Sequence, residues 1–207
     1  MTLLLARHGQ TDWNATRRFQ GETDVGLSAR GRAQATALGR ALNGRRLAAV
    51  YASPLRRARE TAVIAAADTA PVTAVEALRE LSLGQWEGRT VDEIRGEKGD
   101  PYLAWLRAPH DCPPPGGEPL DRVAARVRGA LARIATAHDD EDEVLVVAHG
   151  GVISVYACTL LGSSFNSLWR LRVDNCSLTV VKPPRLSSIN DTAHLPPELT
   201  SQHLTRA

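Results

Sequence analysis

The sequence predicts a single-domain α/β protein: a three-layer sandwich with a mostly parallel central sheet and helices on both faces. Short and nearly continuous apolar runs, typical of strands covered on both faces, occur at positions 2–6, 47–52 and 144–148. Each run is followed by a segment whose apolar residues have helical spacing. With 207 residues, the chain is long enough to bury its own core, and we expect residues 1–207 to form one domain.

The first half of the chain alternates strand and helix. After the first apolar run, Ser28 precedes a segment at 32–42 whose apolar positions lie on one helix face. After the second run, Ser53 and Pro54 predict the start of a helix that extends to about Ala67. A serine hydroxyl can cap free backbone N–H groups, and a proline has no N–H group that would stay unpaired.

A proline-rich segment interrupts the second half of the chain. Residues 109–119 contain five prolines and the pair Gly116-Gly117. This composition excludes regular structure and predicts an exposed, mobile loop. We interpret the segment as a rim loop and not as a linker between domains.

The remaining elements are predicted from short apolar runs and from helical spacing. We expect a short strand at 72–75, helices at 120–137 and from 150 to about 161, a strand at 143–148, and two strands at 171–173 and 178–181 with a turn at 174–175. The tail at 183–207, with several prolines, is expected to be mostly irregular.

Composition excludes several classes of protein. The 25 basic and 23 acidic side chains give a net charge of +2, and the two signs are interspersed, so no nucleic-acid partner is predicted. No apolar run approaches the roughly 18 residues of a membrane-spanning helix. Three widely spaced cysteines without a C-x-x-C pair indicate neither a disulfide framework nor a cysteine zinc site. We expect a cytoplasmic protein with no membrane partner and no signal peptide.

Candidate functional residues follow the ends of three predicted strands. Arg7 and His8 follow the first, Arg57 lies in the first turn of the helix after the second, and His149 follows the last. In α/β sheets, ligands bind outside the carboxyl ends of the strands, where helix N-termini point their free N–H groups. Each residue alone is more often structural or solvated. Together, two arginines and two histidines favour a compact anion such as phosphate.

These residues lie within longer motifs that strongly resemble the histidine phosphatase superfamily, the phosphoglycerate-mutase-like proteins, and in particular its phosphatase branch. The motifs are LARHGQTDWN at 5–14, RFQG at 18–21, SPLRRARET at 53–61, LRE at 78–80, GQWEG at 84–88 and AHGG at 148–151. They occur in the family's order over about residues 2–160. The resemblance therefore implies the fold predicted above and a phosphoryl-transfer site.

The resemblance also implies a role for each matching residue. His8 corresponds to the residue that is phosphorylated during turnover, Arg7, Arg57 and His149 to the residues that hold the phosphoryl group, and Glu80 to the proton donor. A second set is expected to bind phosphate or substrate beside these residues: Asn14, Gln20 and Gly150.

Elementary chemistry agrees with these implied roles. Imidazole is a nucleophile only when one ring nitrogen is unprotonated, and the cations of Arg7 and Arg57 disfavour imidazolium at His8. Glu80 can protonate the leaving alkoxide and later accept a proton from water if its pKa is raised towards neutrality. We predict a histidine acid phosphatase-type phosphomonoester hydrolase that acts on a small phosphorylated metabolite, without metal or cofactor, as a monomer or homodimer.

Three alternatives remain beside this prediction. Two histidines and a glutamate could bind a metal, although two arginines in the same pocket repel a divalent cation. The chain could be a cofactor-dependent phosphoglycerate mutase. Mutases of this family tend to have an extra segment between the acid and the second histidine, whereas here His149 follows Glu80 by only 69 positions. It could also be a non-catalytic sensor of a phosphorylated ligand. The physiological substrate is not predicted, although 114–118 and 190–195 resemble segments of small-metabolite phosphatases, including α-ribazole phosphatase.

Overall fold

A six-stranded sheet forms the centre of the molecule in this computed structural model, which describes residues 1–67 and 69–200. The strand order is β3-β2-β4-β1-β5-β6. Strands β1 to β4 run parallel to one another, β5 pairs antiparallel with β1, and β6 pairs antiparallel with β5. The strands are β1 (Thr2–Arg7), β2 (Leu47–Ala52), β3 (Val72–Ala74), β4 (Glu143–Ala148), β5 (Leu178–Lys182) and β6 (Arg185–Asp191).

Seven α-helices are found among the described residues, together with short 3-10 turns, one of them at Glu76–Leu78. The helices are α1 (Asp12–Ala15), α2 (Ala29–Leu42), α3 (Arg56–Ala66), α4 (Val91–Arg95), α5 (Pro101–Arg107), α6 (Leu120–Thr136) and α7 (Gly150–Leu161). α2 and α3 cover one face of the sheet, and α6 and α7 cover the other. The predicted three-layer architecture is confirmed.

The apolar runs reflect burial on both faces of the sheet. In β1, Leu3 and Leu5 belong to the core beneath α6 and α7, while Leu4 and Ala6 belong to the core beneath α2 and α3. Successive side chains of a strand point to opposite faces, so a strand between two helical layers needs apolar residues at every position.

Strand register brings three chain segments to one edge of the sheet. Arg7, the last residue of β1, is opposite Ala148, the last residue of β4. Ala52, the last residue of β2, is opposite Val147 of β4. Ladder-like hydrogen bonds continue one residue further: the N–H of His8 donates to the Ala148 carbonyl at 3.0 Å, and that of Ser53 to the Val147 carbonyl at 2.9 Å. His8, Ser53 and His149 therefore leave the sheet side by side.

The C-terminal third differs from the sequence prediction in two places. Residues 171–173 do not form a strand, and β5 pairs instead with β6, an element within the tail that was expected to be mostly irregular. The hairpin turn thus lies at Pro183-Pro184 and not at 174–175. β6 is an outer strand with mostly exposed side chains, so it lacks the apolar run that marks an inner strand.

Two smaller features also differ from the prediction. The helix after β2 begins at Arg56, with Leu55 at its N-cap and no side chain capping it. The Ser53 hydroxyl lies 2.8 Å from Nε2 of His149 and accepts the Leu55 N–H at 3.3 Å, ahead of the first helical residue. The loop at 109–119 is irregular, as its prolines predict, but its second half is bound to the segment before α4. There the Gln85 N–H donates to the Pro115 carbonyl, and the Glu118 N–H donates to the Ser82 carbonyl, each at 2.9 Å.

Across the described ranges, 1–67 and 69–200, no helix combines the length and the apolar character required to cross a lipid bilayer.

Candidate active site

His8 follows β1 and is held in a single ring tautomer. Its backbone N–H is bonded to β4, and its carbonyl oxygen accepts a hydrogen bond from Nδ2 of Asn175 at 2.9 Å. Ring atom Nδ1 lies 2.7 Å from the carbonyl oxygen of Gly9. A carbonyl oxygen can only accept, so Nδ1 carries the proton and Nε2 keeps a free lone pair. The side chain thus presents an unprotonated ring nitrogen at Nε2.

Burial also keeps the His8 ring neutral. The pKa of His8 lies well below its ordinary value, first because burial disfavours the imidazolium, and second because the cations of Arg57 and Arg7 oppose it. The sequence predicted the contribution of the two arginines. It could not show that loss of water around a ring that is only 3% exposed is the larger cause.

Arg57 is completely buried near the N-terminus of α3. Its Nη1 donates to the carbonyl of Thr23 at 2.8 Å, and its Nη2 donates to the carbonyl of Gly21 at 2.7 Å. Burial lowers the pKa of Arg57 to about 10, which leaves the guanidinium charged at neutral pH. The 21–23 loop is fixed in turn by the Glu87 carboxylate, which accepts from the N–H groups of Glu22 and Thr23.

Arg7 is the second cation of the site. Its Nη1 donates to the carbonyl of Val173 at 2.6 Å, so the irregular 171–177 segment helps to hold this guanidinium. Burial lowers the pKa of Arg7, and the negative charge of Glu80 partly opposes that shift.

His149 is the N-cap residue of α7 and is completely buried. Its Nε2 lies 2.8 Å from the Ser53 hydroxyl oxygen. The pKa of His149 is well below its ordinary value, first through burial and then through the positive charge of Arg57. The ring centroids of His149 and His8 are 5.2 Å apart, with the rings inclined at 61°.

Glu80 follows the 3-10 turn at Glu76–Leu78 and faces the start of α7. Its carboxyl oxygens accept from the backbone N–H of Leu81 at 3.1 Å and of Gly151 at 3.3 Å. Burial raises the pKa of Glu80, and this effect exceeds the opposing ones of Arg57, the two backbone N–H groups and Arg7. The carboxyl therefore keeps its proton to a higher pH than a solvated glutamate does.

The structure thus brings together the five residues to which the resemblance assigns catalytic roles. Arg57 and Arg7 lower the pKa of both histidines and act on Glu80. Three buried nitrogen atoms in this group, Nε of Arg7, Nε of Arg57 and Nδ1 of His149, have no hydrogen-bond partner in the part of the chain that the structure describes. An unsatisfied buried polar group costs about 1–3 kcal/mol. The cluster is therefore suited to a ligand rich in acceptor oxygens, as a phosphoryl group is.

The expected binding residues Asn14 and Gln20 lie next to this cluster. Their side-chain oxygens accept from Thr11, that of Asn14 from the backbone N–H at 3.0 Å and that of Gln20 from the hydroxyl at 2.9 Å. Asn175, which bonds the His8 carbonyl, also approaches the Asn14 side chain at 3.5 Å. With their oxygens engaged in this way, the amide N–H groups are the atoms that could meet an anion. The third expected residue, Gly150, lies beside Arg7: a Cβ atom there would be 3.4 Å from Nε.

Three residues that organise the site were not predicted. Asn175 holds the His8 carbonyl, Ser53 holds the His149 ring, and Thr61 links two elements, since its hydroxyl accepts from the Gly9 N–H at 2.9 Å and donates to the Arg57 carbonyl at 2.7 Å. The sequence carried a partial signal for Ser53 and Thr61, because both lie within the SPLRRARET motif. Asn175 lies outside every motif.

Among residues 1–67 and 69–200, no group of three or more histidine, cysteine, aspartate or glutamate side chains is placed to hold a metal ion. In the site itself, His8 Nδ1 and His149 Nε2 contact protein oxygen atoms, and two guanidinium groups lie beside them. This donor set suits an anion better than a divalent cation.

Comparison with known proteins agrees with the geometry. A family model described as the histidine phosphatase superfamily (branch 1) matches residues 3–187. Phosphoserine phosphatase 1 of Hydrogenobacter thermophilus is 33% identical over 198 residues, which cover 93% of each chain. A probable phosphoglycerate mutase, GpmB, of Erwinia tasmaniensis is 35% identical over 182 residues, covering 87% of this chain and 84% of that protein.

A solved structure extends the likeness to three dimensions. The mycobacterial glucosyl-3-phosphoglycerate phosphatase in complex with VO3 superimposes with a TM-score of 0.85 at 34% identity, over 92% of this chain and 99% of that one. The fold and the site together define an α/β phosphoryl-transfer protein. The chain belongs to the histidine phosphatase superfamily. Membership confirms the resemblance seen in the sequence, and the phosphatase names of these relatives support the predicted phosphomonoester hydrolase.

Proposed function

We propose that this chain is a metal-independent phosphomonoesterase that hydrolyses small phosphorylated metabolites through a phosphohistidine intermediate on His8. The observation that carries the proposal is the Nδ1 to Gly9 carbonyl hydrogen bond of 2.7 Å, which leaves Nε2 unprotonated in a ring that is exposed to the positive charges of Arg57 and Arg7. Relatives named phosphoserine phosphatase and glucosyl-3-phosphoglycerate phosphatase support the substrate class.

In the first half-reaction, Nε2 of His8 attacks phosphorus while the bond from phosphorus to the ester oxygen breaks. Arg7, Arg57 and His149 stabilise the charge on the three equatorial oxygens. A phosphoryl oxygen only accepts hydrogen bonds, so His149 donates from Nδ1, and the Ser53 hydroxyl donates to its Nε2. The protonated Glu80 carboxyl gives its proton to the leaving alkoxide.

In the second half-reaction, water attacks the phosphohistidine from the side that the alcohol has left. Glu80, now a carboxylate, accepts a proton from that water while the bond from phosphorus to Nε2 breaks. Inorganic phosphate is released, His8 regains its lone pair, and Glu80 is protonated again. The raised pKa of Glu80 suits a carboxyl that must hold a proton in one half-reaction and accept one in the other.

A phosphoglycerate mutase is the second candidate, because one relative of similar identity carries that name. A mutase must keep water away from phosphohistidine. The short interval between Glu80 and His149 leaves little chain for the extra covering segment that mutases of this family tend to carry. We therefore favour hydrolysis. Incubation with 3-phosphoglycerate decides between the two, since release of phosphate faster than formation of the 2-isomer supports a phosphatase and the reverse supports a mutase.

Turnover of p-nitrophenyl phosphate tests the proposed function. We expect phosphate release that is unchanged by EDTA and that falls by at least about 10³-fold in His8→Gln, as loss of a catalytic nucleophile does. His138→Gln is the matched control, since His138 bonds Tyr51 and not the site. Full activity in His8→Gln, loss of activity with EDTA, or binding of phosphate without any turnover would each contradict the proposal, the last favouring a sensor.

A further inference from the structure

Arg126, in α6, uses all five N–H groups of its guanidinium in protein contacts. Nε and Nη2 donate to the two carboxylate oxygens of Glu118 at 2.8 and 2.7 Å. Nη1 donates to the carbonyl oxygens of Ala77 at 2.8 Å and Arg79 at 2.7 Å. Nη2 also donates to the carbonyl oxygen of Glu80 at 3.3 Å. A guanidinium has five donors. In Arg126 all five are engaged, by the Glu118 carboxylate and by backbone carbonyls of residues 77–80.

The three carbonyl groups belong to the segment that carries the candidate proton donor. This segment, residues 77–80, follows β3 and contains no regular strand or helix beyond the turn at Glu76–Leu78. The Arg126 guanidinium therefore takes the place of the strand or helix hydrogen bonds that would otherwise fix the backbone of residues 77–80. Because the Glu80 carbonyl is among the groups held, the direction in which its side chain leaves the backbone depends on Arg126.

Glu118, in the rim loop, binds the chain just beyond this segment. Its backbone N–H donates to the carbonyl of Ser82 at 2.9 Å, two residues beyond Glu80. The Arg126 and Glu118 side chains are only 22% and 20% exposed, so each is the principal charge partner of the other in a largely desolvated pair. Removal of either partner leaves an uncompensated charge in this position.

The contacts separate this pair from the groups that hold the phosphoryl moiety. Arg126 touches backbone carbonyls, whereas the Glu80 carboxyl is held by the N–H groups of Leu81 and Gly151. His8, Arg57 and His149 are held by Gly9, the 21–23 loop and Ser53. A change at Arg126 should thus move the acid while the nucleophile and the phosphate-binding cations keep their own contacts. The Arg126 charge is also the smallest of the effects that lower the pKa of His149, and Arg126→Lys keeps that charge.

We propose that Arg126 and Glu118 are positioning residues for proton transfer by Glu80, an inference that rests on the proposed function. The pair fixes the backbone of the acid-bearing segment against α6 and the rim loop. Its loss impairs protonation of the leaving oxygen more than it impairs phosphoryl binding or nucleophilic attack. Substrates with a poor leaving group, such as an alkyl phosphate, depend on the acid, and p-nitrophenyl phosphate depends on it much less.

The test compares kcat/KM for phosphoserine, an alkyl phosphate, with kcat/KM for p-nitrophenyl phosphate. This parameter covers the steps through cleavage of the ester bond, and the ratio of the two values does not depend on how much of the protein is folded. In Arg126→Met we expect the alkyl value to fall by roughly 10–100-fold, the range expected for a misplaced general acid, and the aryl value to fall by only about threefold. The ratio should shift by about tenfold or more.

Three further variants sharpen the test. Arg126→Lys keeps the positive charge but loses the planar set of guanidinium donors. Its ratio of alkyl to aryl kcat/KM should therefore lie between those of the wild type and Arg126→Met. Glu118→Gln should shift the ratio in the same direction by less, and the double variant should shift it no further than Arg126→Met if the pair acts as one unit. Arg128→Met removes an exposed charge from the same helix and should leave the ratio unchanged.

The outcomes are distinct. An unchanged ratio in Arg126→Met, with both substrates reduced equally or not at all, overturns the positioning role. A wild-type protein that hydrolyses neither substrate overturns the proposed function instead.

Discussion

The hydroxyl oxygen of Ser53, the first residue after β2, lies 2.8 Å from Nε2 of His149, the first residue after β4. Both side chains are completely buried. The hydrogen bond therefore joins two parallel strands beyond their last ladder bond and determines which nitrogen of His149 is left for a ligand. When Nε2 accepts from Ser53, Nδ1 must carry the proton.

Ser53→Ala should accordingly weaken phosphate binding as well as turnover. We expect kcat/KM to fall about tenfold and the inhibition constant of inorganic phosphate to rise, because loss of the partner leaves His149 unpaired and free to change tautomer. Steady-state kinetics with phosphate as competitive inhibitor measure both effects. Ser187→Ala, at an exposed position of β6, is the control. Unchanged phosphate inhibition in Ser53→Ala would refute the assigned tautomer.

Gly151 is required by its closeness to the candidate acid. A Cβ atom there would lie 2.0 Å from Cδ2 of Leu81 and 2.6 Å from Oε1 of Glu80. Gly151→Ala should displace the carboxyl and lower kcat/KM for an alkyl phosphate by about 100-fold.

Gly129→Ala is the matched control for this substitution, because a Cβ atom at Gly129 of α6 meets only the end of the Arg133 side chain at 3.5 Å. That variant should keep full activity and gain about 1 kcal/mol of stability from helix propensity. Equal activity of the two variants would show that Gly151 does not constrain Glu80.

Arg57→Lys should be nearly as damaging as Arg57→Ala. A lysine cannot bond the carbonyls of Thr23 and Gly21 and contact a phosphoryl group at the same time, as a planar guanidinium can. We expect kcat/KM to fall by about 100-fold or more in both variants, the usual effect of removing a transition-state donor. The control is Arg59→Lys, at an exposed position of the same helix, and it should leave kcat/KM unchanged. Near-normal kinetics in Arg57→Lys would mean that charge alone suffices.

Folding stability should fall as the pH drops below about 6.5, the ordinary histidine pKa. The pKa values of His8 and His149 are lowered in the folded state, so between the folded and unfolded pKa values the unfolded chain binds more protons. Stability therefore rises with pH in that window, by up to about 1.4 kcal/mol per pH unit for each histidine. The raised pKa of Glu80 acts in the opposite direction above its ordinary value, so comparison with variants is needed.

Urea unfolding between pH 5 and 8, in the wild type and in His149→Gln, measures this dependence. The variant should show a shallower slope below about pH 6.5, since it lacks one titrating ring. Identical slopes in the two proteins would argue against a buried neutral His149.

The parts of the structure that the sequence predicted share one physical basis, which is periodicity. β1 and β4 were recognisable because each faces two helical layers and so has an apolar residue at every inner position, as the split of Leu3 and Leu4 between two cores shows. The ends of these strands then located Arg7, His8 and His149. Glu80 and Arg57 followed from the family motifs and, for Arg57, from its position after β2.

Other parts could not be predicted, because they depend on contacts between distant segments. Asn175 reaches the carbonyl of His8, 167 positions away, from the loop between the 3-10 turn at Phe165–Arg170 and β5, and nothing in the neighbouring sequence indicates this contact. Arg126 is one of many arginines, and its sequence neighbourhood does not distinguish it from the exposed Arg128. β6 was missed because an outer strand with exposed side chains carries no apolar run.

Isolation of the phosphorylated enzyme tests the central claim most directly. Wild-type protein is mixed with a phosphomonoester labelled in its phosphoryl group, quenched during turnover and digested, and the labelled peptide is sequenced by mass spectrometry. The account predicts label on Nε2 of His8, stable to alkali and lost in acid, and none in His8→Gln. Label on any other side chain, or no phosphorylated enzyme together with the absence of a burst of released alcohol, would contradict it.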